Sequence, residues 1–313
     1  MQEITFRAMG CQMQALLDED TPQAAATLAQ VPGWFEGWEQ TLSRFRAGSE
    51  LSRLNDLRGQ AVPVSPVLWE VVDLAFDADR ESGGLVTPTQ LAALEAAGYD
   101  RSFDALARES RVATEIEWQP LRPAPALPQA VVRDVQRRSL RLDEGVRLDL
   151  GGVAKGWAAG EAARRLSTLG PALVDAGGDI AVSGPRLGAT PWSIGIANPF
   201  FPDDELETLL IARGGGLATS GRDYRRWQRN GQWYHHILDP RTGRPAQTDV
   251  LTATVVAPSA ARAEVAAKVA LILGGQHGLA WLAARPELAG CLVLEDGRLL
   301  RTESLAAYAP AID

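Results

Sequence analysis

The stretch YHHILDPRTGRPA, residues 234–246, holds two of the three histidines of the chain. Its apolar residues are typical of a strand, and the Asp-Pro and Thr-Gly-Arg-Pro sequences that follow are typical of turns. Successive side chains of a strand point to opposite faces, so at most one of His235 and His236 faces a given site. The stretch alone leaves open whether this pair serves chemistry or belongs to an ordinary strand end.

The length and composition of the chain are typical of a globular protein with a full core. Its 313 residues are 46% hydrophobic, which is sufficient for one large domain or two joined lobes. The net charge of −8 and the lack of clustered Lys and Arg argue against a nucleic-acid surface. Cys11 and Cys291 have neither metal-ligand spacing nor the spacing of a disulfide framework, which favours a reducing compartment.

The first eleven residues, MQEITFRAMGC, superficially resemble a lipoprotein cleavage site. A secretion signal needs a basic segment and then an apolar run of about 7–15 residues, and Glu3 and Arg7 interrupt this window. No segment reaches the roughly 18 apolar residues of a membrane helix. We therefore expect a soluble, cytoplasmic protein.

Local patterns predict an α+β fold, because strands and helices mix without the regular βαβ order of a doubly wound sheet. The strongest helix signal is Ser65-Pro66, a cap residue followed by proline at the first helical position. Predicted helices cover residues 23–43, 65–80, 153–169 and 260–273. Predicted strands cover 4–17 with a break at Gly10, 172–174, 181–183, 192–197 and 251–257, with a hairpin over 137–150 and a surface connection over 115–129.

Three small-residue segments are candidate ligand-binding turns. Gly151-Gly152 precedes a predicted helix that carries Lys155, and glycines with a helix N-terminus and a lysine suit a phosphate group. Gly177-Gly178 and Ser220-Gly221 lie between apolar runs. The spacing matches neither a Walker loop nor a dinucleotide fingerprint, so each segment by itself is more typical of a tight turn, a bulge or a close strand crossing than of a binding site.

Together, these turns and the histidine stretch resemble the ApbE family of flavin transferases. The resemblance runs through the chain in order and is most specific in the histidine stretch. Its segments are MGC at 9–11, where the family has Met-Gly-Thr, LSRFRAGSELSRLN at 42–55, TPTQLAALEAAGYD at 87–100, DLGGVAKG at 149–156, DAGGDI at 175–180, TSGRDY at 219–224 and HHILDPRTGRPA at 235–246.

The resemblance implies an α+β fold of mixed sheets and packed helices, a two-lobed single domain over residues 1–313. It also implies an FAD-binding enzyme that attaches FMN from FAD to a threonine of a target redox protein and releases AMP. FAD and a threonine-bearing flavin acceptor are then the partners, and Mg²⁺ is the metal that the family leads us to expect.

The resemblance also implies roles for individual residues. Attack of a hydroxyl on phosphorus needs a base and neutralisation of the phosphate charge, and the family's histidine falls on His236, the candidate general base. The candidate contacts to FAD are Met9, Gly10, Asn55, Thr89, Lys155, Gly177, Gly178, Asp179, Ser220, Gly221, His236 and Lys268.

The chain departs from the family at the expected magnesium site. The family uses an Asp and a Thr one helical turn apart, and these positions are Glu264 and Lys268 here. An ammonium cannot ligate Mg²⁺, which prefers oxygen ligands, so Glu264 is a doubtful ligand. Either the two residues form an ordinary surface pair, or the Lys268 ammonium occupies the metal position and faces the pyrophosphate. Thr87 and Gly160 also replace family aspartates.

These departures leave three hypotheses open. The first is an active FMN transferase. The second is an FAD-binding protein or flavin carrier without transferase activity, which the altered metal pair favours. The third is an FAD pyrophosphatase that yields FMN and AMP, with water in place of threonine; the intact histidine stretch favours the first and the third.

Overall fold

A computed structural model describes residues 1–103, 105–106, 122–229 and 232–310 of the chain. Its contacts divide the chain into two compact units, each assembled from separated segments. The first unit comprises Met1–Phe35, Lys155–Asp223 and Thr248–Asp313, and the second comprises Glu36–Ala154 and Tyr224–Gln247. Mixed helices and antiparallel sheets confirm the predicted α+β class, while the single domain over 1–313 stays a prediction.

The described helices and strands follow one another along the chain without a βαβ order. The helices are α1 Pro22–Leu28, α2 Val31–Leu42, α3 Glu50–Asp56, α4 Pro66–Ser82, α5 Leu91–Ala96, α6 Leu127–Ala130, α7 Ala154–Leu166, α8 Ala260–Leu273 and α9 Gly275–Ala283. The strands are β1 Gln2–Ala8, β2 Cys11–Leu17, β3 Ala61–Pro63, β4 Val131–Asp134, β5 Ser139–Leu142, β6 Ala172–Ala176, β7 Asp179–Val182, β8 Trp192–Ala197, β9 Glu205–Ile211, β10 Gly215–Gly221, β11 Arg226–Arg229, β12 Gln232–His235, β13 Leu238–Asp239, β14 Arg244–Pro245, β15 Val250–Ala257, β16 Ala289–Leu294 and β17 Leu299–Arg301.

An antiparallel sheet of eight strands forms the centre of the first unit, in the order β1-β2-β6-β7-β10-β15-β16-β17. Helix α8 lies directly on it, because a Cβ on Gly216 of β10 would meet the backbone nitrogen of Ala260 at 2.1 Å. Eleven of the fourteen residues of α8 are buried, which explains its almost uniformly apolar sequence. This packing fixes α8 against β10, the strand that carries Ser220.

In the second unit, the described residues form three short sheets. Strands β3, β5 and β4 form one sheet in that order, and β11–β12 and β13–β14 form two hairpins. A core of Leu94, Ala97, Tyr99, Trp227 and Leu238 joins α5 to these hairpins. The histidine stretch therefore continues from a hairpin that is anchored by aromatic packing.

The capped helix predicted over 65–80 is confirmed as α4. The Ser65 hydroxyl accepts from the Leu68 N–H at 3.2 Å, and Gly83 ends the helix in the left-handed conformation with φ 64°. The helix predicted over 260–273 is confirmed with the same bounds, and the Ser259 hydroxyl caps it.

Four predicted elements differ from the structure. The helix predicted over 23–43 is divided into α1 and α2, because Pro32 has no N–H to donate across the junction. The hairpin predicted over 137–150 consists of β4 and β5 instead, since the turn at Gly145, with φ 82°, takes the chain out of the sheet. Ser220 lies in β10 rather than in a turn, because it pairs with Ala253 of β15. Residues 115–121 of the connection predicted over 115–129 lie outside the described residues, and its end forms part of α6.

Candidate active site

Glu264 of α8 is fully buried, with 0% exposure. Its Oε2 accepts the backbone N–H of Gly156 at 2.9 Å, and its Oε1 accepts the ammonium groups of Lys155 at 3.1 Å and Lys268 at 3.0 Å. Burial by itself raises the pKa of Glu264, but the two ammonium charges outweigh burial and hold the pKa well below its usual range. The carboxylate is therefore ionised and fully paired at neutral pH.

The close crossing of two helices brings these groups together. Gly156 lies in the first turn of α7, and a Cβ there would lie 2.7 Å from Ala261 Cα and 2.8 Å from the Ala260 carbonyl. Only glycine allows this approach, which places the Glu264 carboxylate at the N-terminus of α7, where unpaired N–H groups favour a negative charge.

Lys155 links Glu264 to a second buried carboxylate. Its ammonium also pairs with Asp179, the first residue of β7, whose side chain is 4% exposed. Lys155, Lys268, Asp179 and Glu264 form the lysine–carboxylate cluster, with two positive and two negative charges. The sequence predicted Lys155 and Asp179 as separate contacts to FAD, and their mutual contact is a finding of the structure.

Gly177 and Gly178 form the turn that directs Asp179 into this cluster. Both have positive φ, 70° and 94°, and a Cβ on Gly177 would meet the Cys11 side chain at 2.6 Å. The Gly178 N–H donates to the Asp175 carboxylate at 2.7 Å and stabilises the turn. The glycine pair is thus needed for backbone conformation and close packing, and its contact with FAD stays a prediction.

Four other predicted residues of the first unit lie in strands or a tight turn. Met9 and Gly10, with φ 48° and 70°, are the two-residue turn that joins β1 to β2, a conformation typical of antiparallel hairpins. Ser220 is buried on β10, opposite Ala253, and Gly221 ends that strand. Their roles in binding stay predictions.

The two histidines differ in their surroundings within the second unit. His235 ends β12 and is buried, and its Nε2 lies 3.3 Å from the Ala246 carbonyl, so this nitrogen carries the proton in that hydrogen bond. His236 follows the strand, is half-buried, and meets the Tyr99 ring edge-on at a centroid distance of 6.5 Å. The structure thus gives His235 an anchoring contact, and the role of His236 as the general base stays a prediction.

Asn55 and Thr89, both predicted contacts to FAD, are buried and hydrogen-bonded within the second unit. The Asn55 amide brackets the backbone of Leu148, with Nδ2 2.9 Å from its carbonyl and Oδ1 2.7 Å from its nitrogen. The Thr89 hydroxyl donates to the Pro125 carbonyl at 2.6 Å. Both side chains hold the backbone beside predicted binding segments, and direct contacts with FAD stay predictions.

Sequence reasoning missed a buried ion pair between Arg44 and Asp149. Arg44 pairs with Asp149 through Nε, donates to the Tyr99 carbonyl at 2.8 Å and lies over the Phe45 ring at 4.0 Å. The Asp149 carboxylate also accepts the Gly151 N–H at 2.7 Å. Asp149 therefore fixes the Gly-Gly turn, and the sequence signal was its place directly before that turn.

The residues at the expected metal position do not fit Mg²⁺. Both oxygens of Glu264 are occupied by N–H donors, and two ammonium groups stand where a cation would approach. Within the described ranges, no group of three or more His, Cys, Asp or Glu side chains is placed to hold a metal ion. The alternative of an ordinary surface pair between Glu264 and Lys268 is also wrong, because Glu264 is fully buried.

Comparison with known proteins relates the chain to one family along most of its length. The model of the ApbE family matches residues 9–292. FAD:protein FMN transferases of Treponema pallidum and Salmonella typhimurium are 28% and 26% identical, over 97% and 90% of this chain and 86% and 81% of their own lengths. An ApbE protein of Thermotoga maritima superposes with a TM-score of 0.84 at 24% sequence identity, and the match covers 99% of both chains. The flavinyl transferase ApbE of Pseudomonas stutzeri superposes with a TM-score of 0.78 at 22% identity, and the match covers 99% of this chain and 98% of that one. None of the described helices is both long and apolar enough to cross a membrane.

Proposed function

The chain belongs to the ApbE family, and on this basis we propose that it is a transferase that moves FMN from FAD to a protein. The observation that carries the proposal is the extent of the family match, which spans residues 9–292 and thus every candidate site residue named above. The relatives that are named FAD:protein FMN transferase support the same activity.

The proposed reaction is attack of an acceptor hydroxyl, which we take to be a threonine, on the phosphorus of the FMN half of FAD. A bond forms between the threonine oxygen and this phosphorus, and the bond from phosphorus to the bridging oxygen breaks. AMP leaves with the bridging oxygen, and the hydroxyl proton passes to a base. The protein contributes by positioning the groups and by neutralising the charge on the phosphates.

His236 is the proposed base. Its half-buried ring lies just beyond the end of β12, whereas the His235 ring is buried and bonded to the Ala246 carbonyl. The unprotonated nitrogen of a neutral imidazole accepts a proton from a hydroxyl, which is the transfer that this step requires. We propose that His235 positions the segment and that His236 transfers the proton.

We propose further that this reaction needs no Mg²⁺ at Glu264. The proposal is supported by the occupation of both carboxylate oxygens by N–H donors. FAD is then the substrate, and a threonine-bearing redox protein is the partner. A cytoplasmic location and the single domain over 1–313 stay predictions, which cell fractionation and limited proteolysis test.

The alternative, an FAD-binding protein or flavin carrier without transfer, is favoured by one observation. A fixed ammonium neutralises charge but cannot activate a hydroxyl by coordination, as a metal ion does. An FAD pyrophosphatase is the remaining alternative, because water could replace threonine in the same attack.

Incubation with FAD and a candidate acceptor separates these three activities. The purified chain is incubated with FAD, with and without the acceptor, and the mixture is analysed for AMP and FMN by chromatography and for acceptor mass. Transfer gives AMP and a flavinylated acceptor in equal amounts. Pyrophosphatase activity gives AMP and free FMN without acceptor, and a binding protein leaves FAD intact.

A further inference from the structure

The chain has 31 basic residues, and only two of them, Lys155 and Lys268, are lysines. The remaining 29 are arginines. Both lysines contact the same oxygen, Oε1 of Glu264, although they are far apart in sequence. Both lysines of this chain therefore lie in the lysine–carboxylate cluster, and every other basic residue is an arginine.

The size of the ammonium group explains this choice. An ammonium is a compact point charge with three N–H donors, whereas a guanidinium is a wide planar fork. Two ammonium groups can approach one buried carboxylate oxygen, as they do at 3.1 and 3.0 Å, but two guanidinium groups would crowd each other. In charge and compactness, the ammonium is the side-chain group that most resembles a metal ion.

The cluster leaves donors available on one lysine. Within the part of the chain that the structure describes, the Lys268 ammonium has one hydrogen-bond partner, Glu264, so two of its three N–H donors remain for another group. Its side chain is 16% exposed, so solvent or a ligand can reach it. An anion with several oxygens can accept hydrogen bonds from both of these N–H groups.

We infer that Lys268 binds the diphosphate of FAD in the place of a divalent cation, so FAD binding to this chain does not depend on a metal ion. The inference rests on the proposed function, which supplies FAD as the ligand. Lys155 and Glu264 act as positioning residues, because they hold the Lys268 ammonium in a buried, charge-balanced cluster.

Labelling with ε-¹⁵N-lysine tests this inference directly. The protein has two lysine side chains, so its side-chain ¹⁵N spectrum contains two ammonium signals, which Lys268→Met assigns. Titration with FAD in EDTA should shift the Lys268 signal, and addition of magnesium chloride should change neither the shift nor the FAD affinity by more than about twofold. A Lys268 signal that FAD leaves unmoved would overturn the inference.

Three variants separate ligand binding from folding. Lys268→Met should weaken FAD affinity at least about tenfold, because it removes a charged hydrogen-bond donor to the diphosphate. The double variant Glu264→Gln with Lys268→Met removes one charge of each sign. It should therefore be thermally more stable than Lys268→Met alone, while its FAD affinity stays as weak. Arg164→Met, which removes an exposed cation paired with Glu161 on α7, is the matched control and should bind FAD like the wild type.

The outcomes distinguish this inference from the proposed function. FAD binding that requires magnesium would overturn the inference and leave the transferase proposal standing. Metal-independent binding that Lys268→Met leaves unchanged would also overturn it, because the cluster would then serve folding alone. Absence of FAD binding under both conditions would overturn both proposals.

Discussion

Replacing Gly156 by alanine tests the close helix crossing on which the site depends. The added Cβ would lie 2.7 Å from Ala261 Cα and 2.8 Å from the Ala260 carbonyl, and these backbone atoms cannot rotate away. Overpacking in a core costs about 1–3 kcal/mol, and a backbone obstacle places this variant at the upper end. Alanine recovers about 1 kcal/mol through its higher helix propensity. We therefore expect a net loss of about 2 kcal/mol in the free energy of unfolding.

Gly160→Ala in the same helix is the matched control. A Cβ at Gly160 would meet no atom within 4 Å, so only the gain in helix propensity remains, about 0.5–1 kcal/mol of stabilisation. Urea unfolding followed by circular dichroism measures both variants. In addition, Gly156→Ala should weaken FAD binding, because it moves the backbone N–H away from Glu264. Equal stability of the two variants would refute the close crossing.

Further predictions concern the histidines, a buried thiol and the cluster. His236→Ala should lower the transfer rate roughly 100- to 10,000-fold and retain FAD binding, whereas His235→Ala should lower the rate far less. If a kinetic assay gave the reverse order, His235 would be the base and His236 would not. Burial raises the pKa of Cys291 from 9.0 to about 12. Above pH 9 the thiol therefore ionises in the unfolded chain but stays neutral in the folded protein, so the free energy of unfolding measured with urea should fall as the pH rises above 9. Glu264→Asp with Lys268→Thr places two oxygen ligands on one helix face and should create magnesium-dependent FAD binding, which calorimetry would detect.

Local sequence signals were sufficient to predict an element whose structure is determined by residues within the same segment. Helix α4 could be predicted because Ser65 and Pro66 mark its first turn and Gly83 marks its end. The division at Pro32 was missed, because the apolar periodicity on both sides of the proline looked continuous. The small residues around Ser220 are typical of a turn, yet pairing with Ala253 of β15, which is distant in sequence, places Ser220 in β10.

The site was only partly accessible to sequence reasoning, since its decisive contacts join distant positions. Lys155 and Glu264 are 109 residues apart, and no local pattern reports that α7 and α8 cross. One signal was nevertheless present, because the two lysines stand out among arginines. A rare residue type at two distant positions can thus indicate that the two side chains lie close together, even when periodicity and motifs give no such indication.

The mass of the acceptor and the release of AMP after incubation with FAD show whether the chain transfers FMN. The wild-type chain, a threonine-bearing candidate acceptor and FAD are incubated in EDTA. We expect a flavinylated acceptor and AMP in equal amounts, with the modification lost when the acceptor threonine is replaced by valine. Intact FAD and an unmodified acceptor, under conditions in which a related FAD:protein FMN transferase modifies the same acceptor, would contradict the proposed transfer.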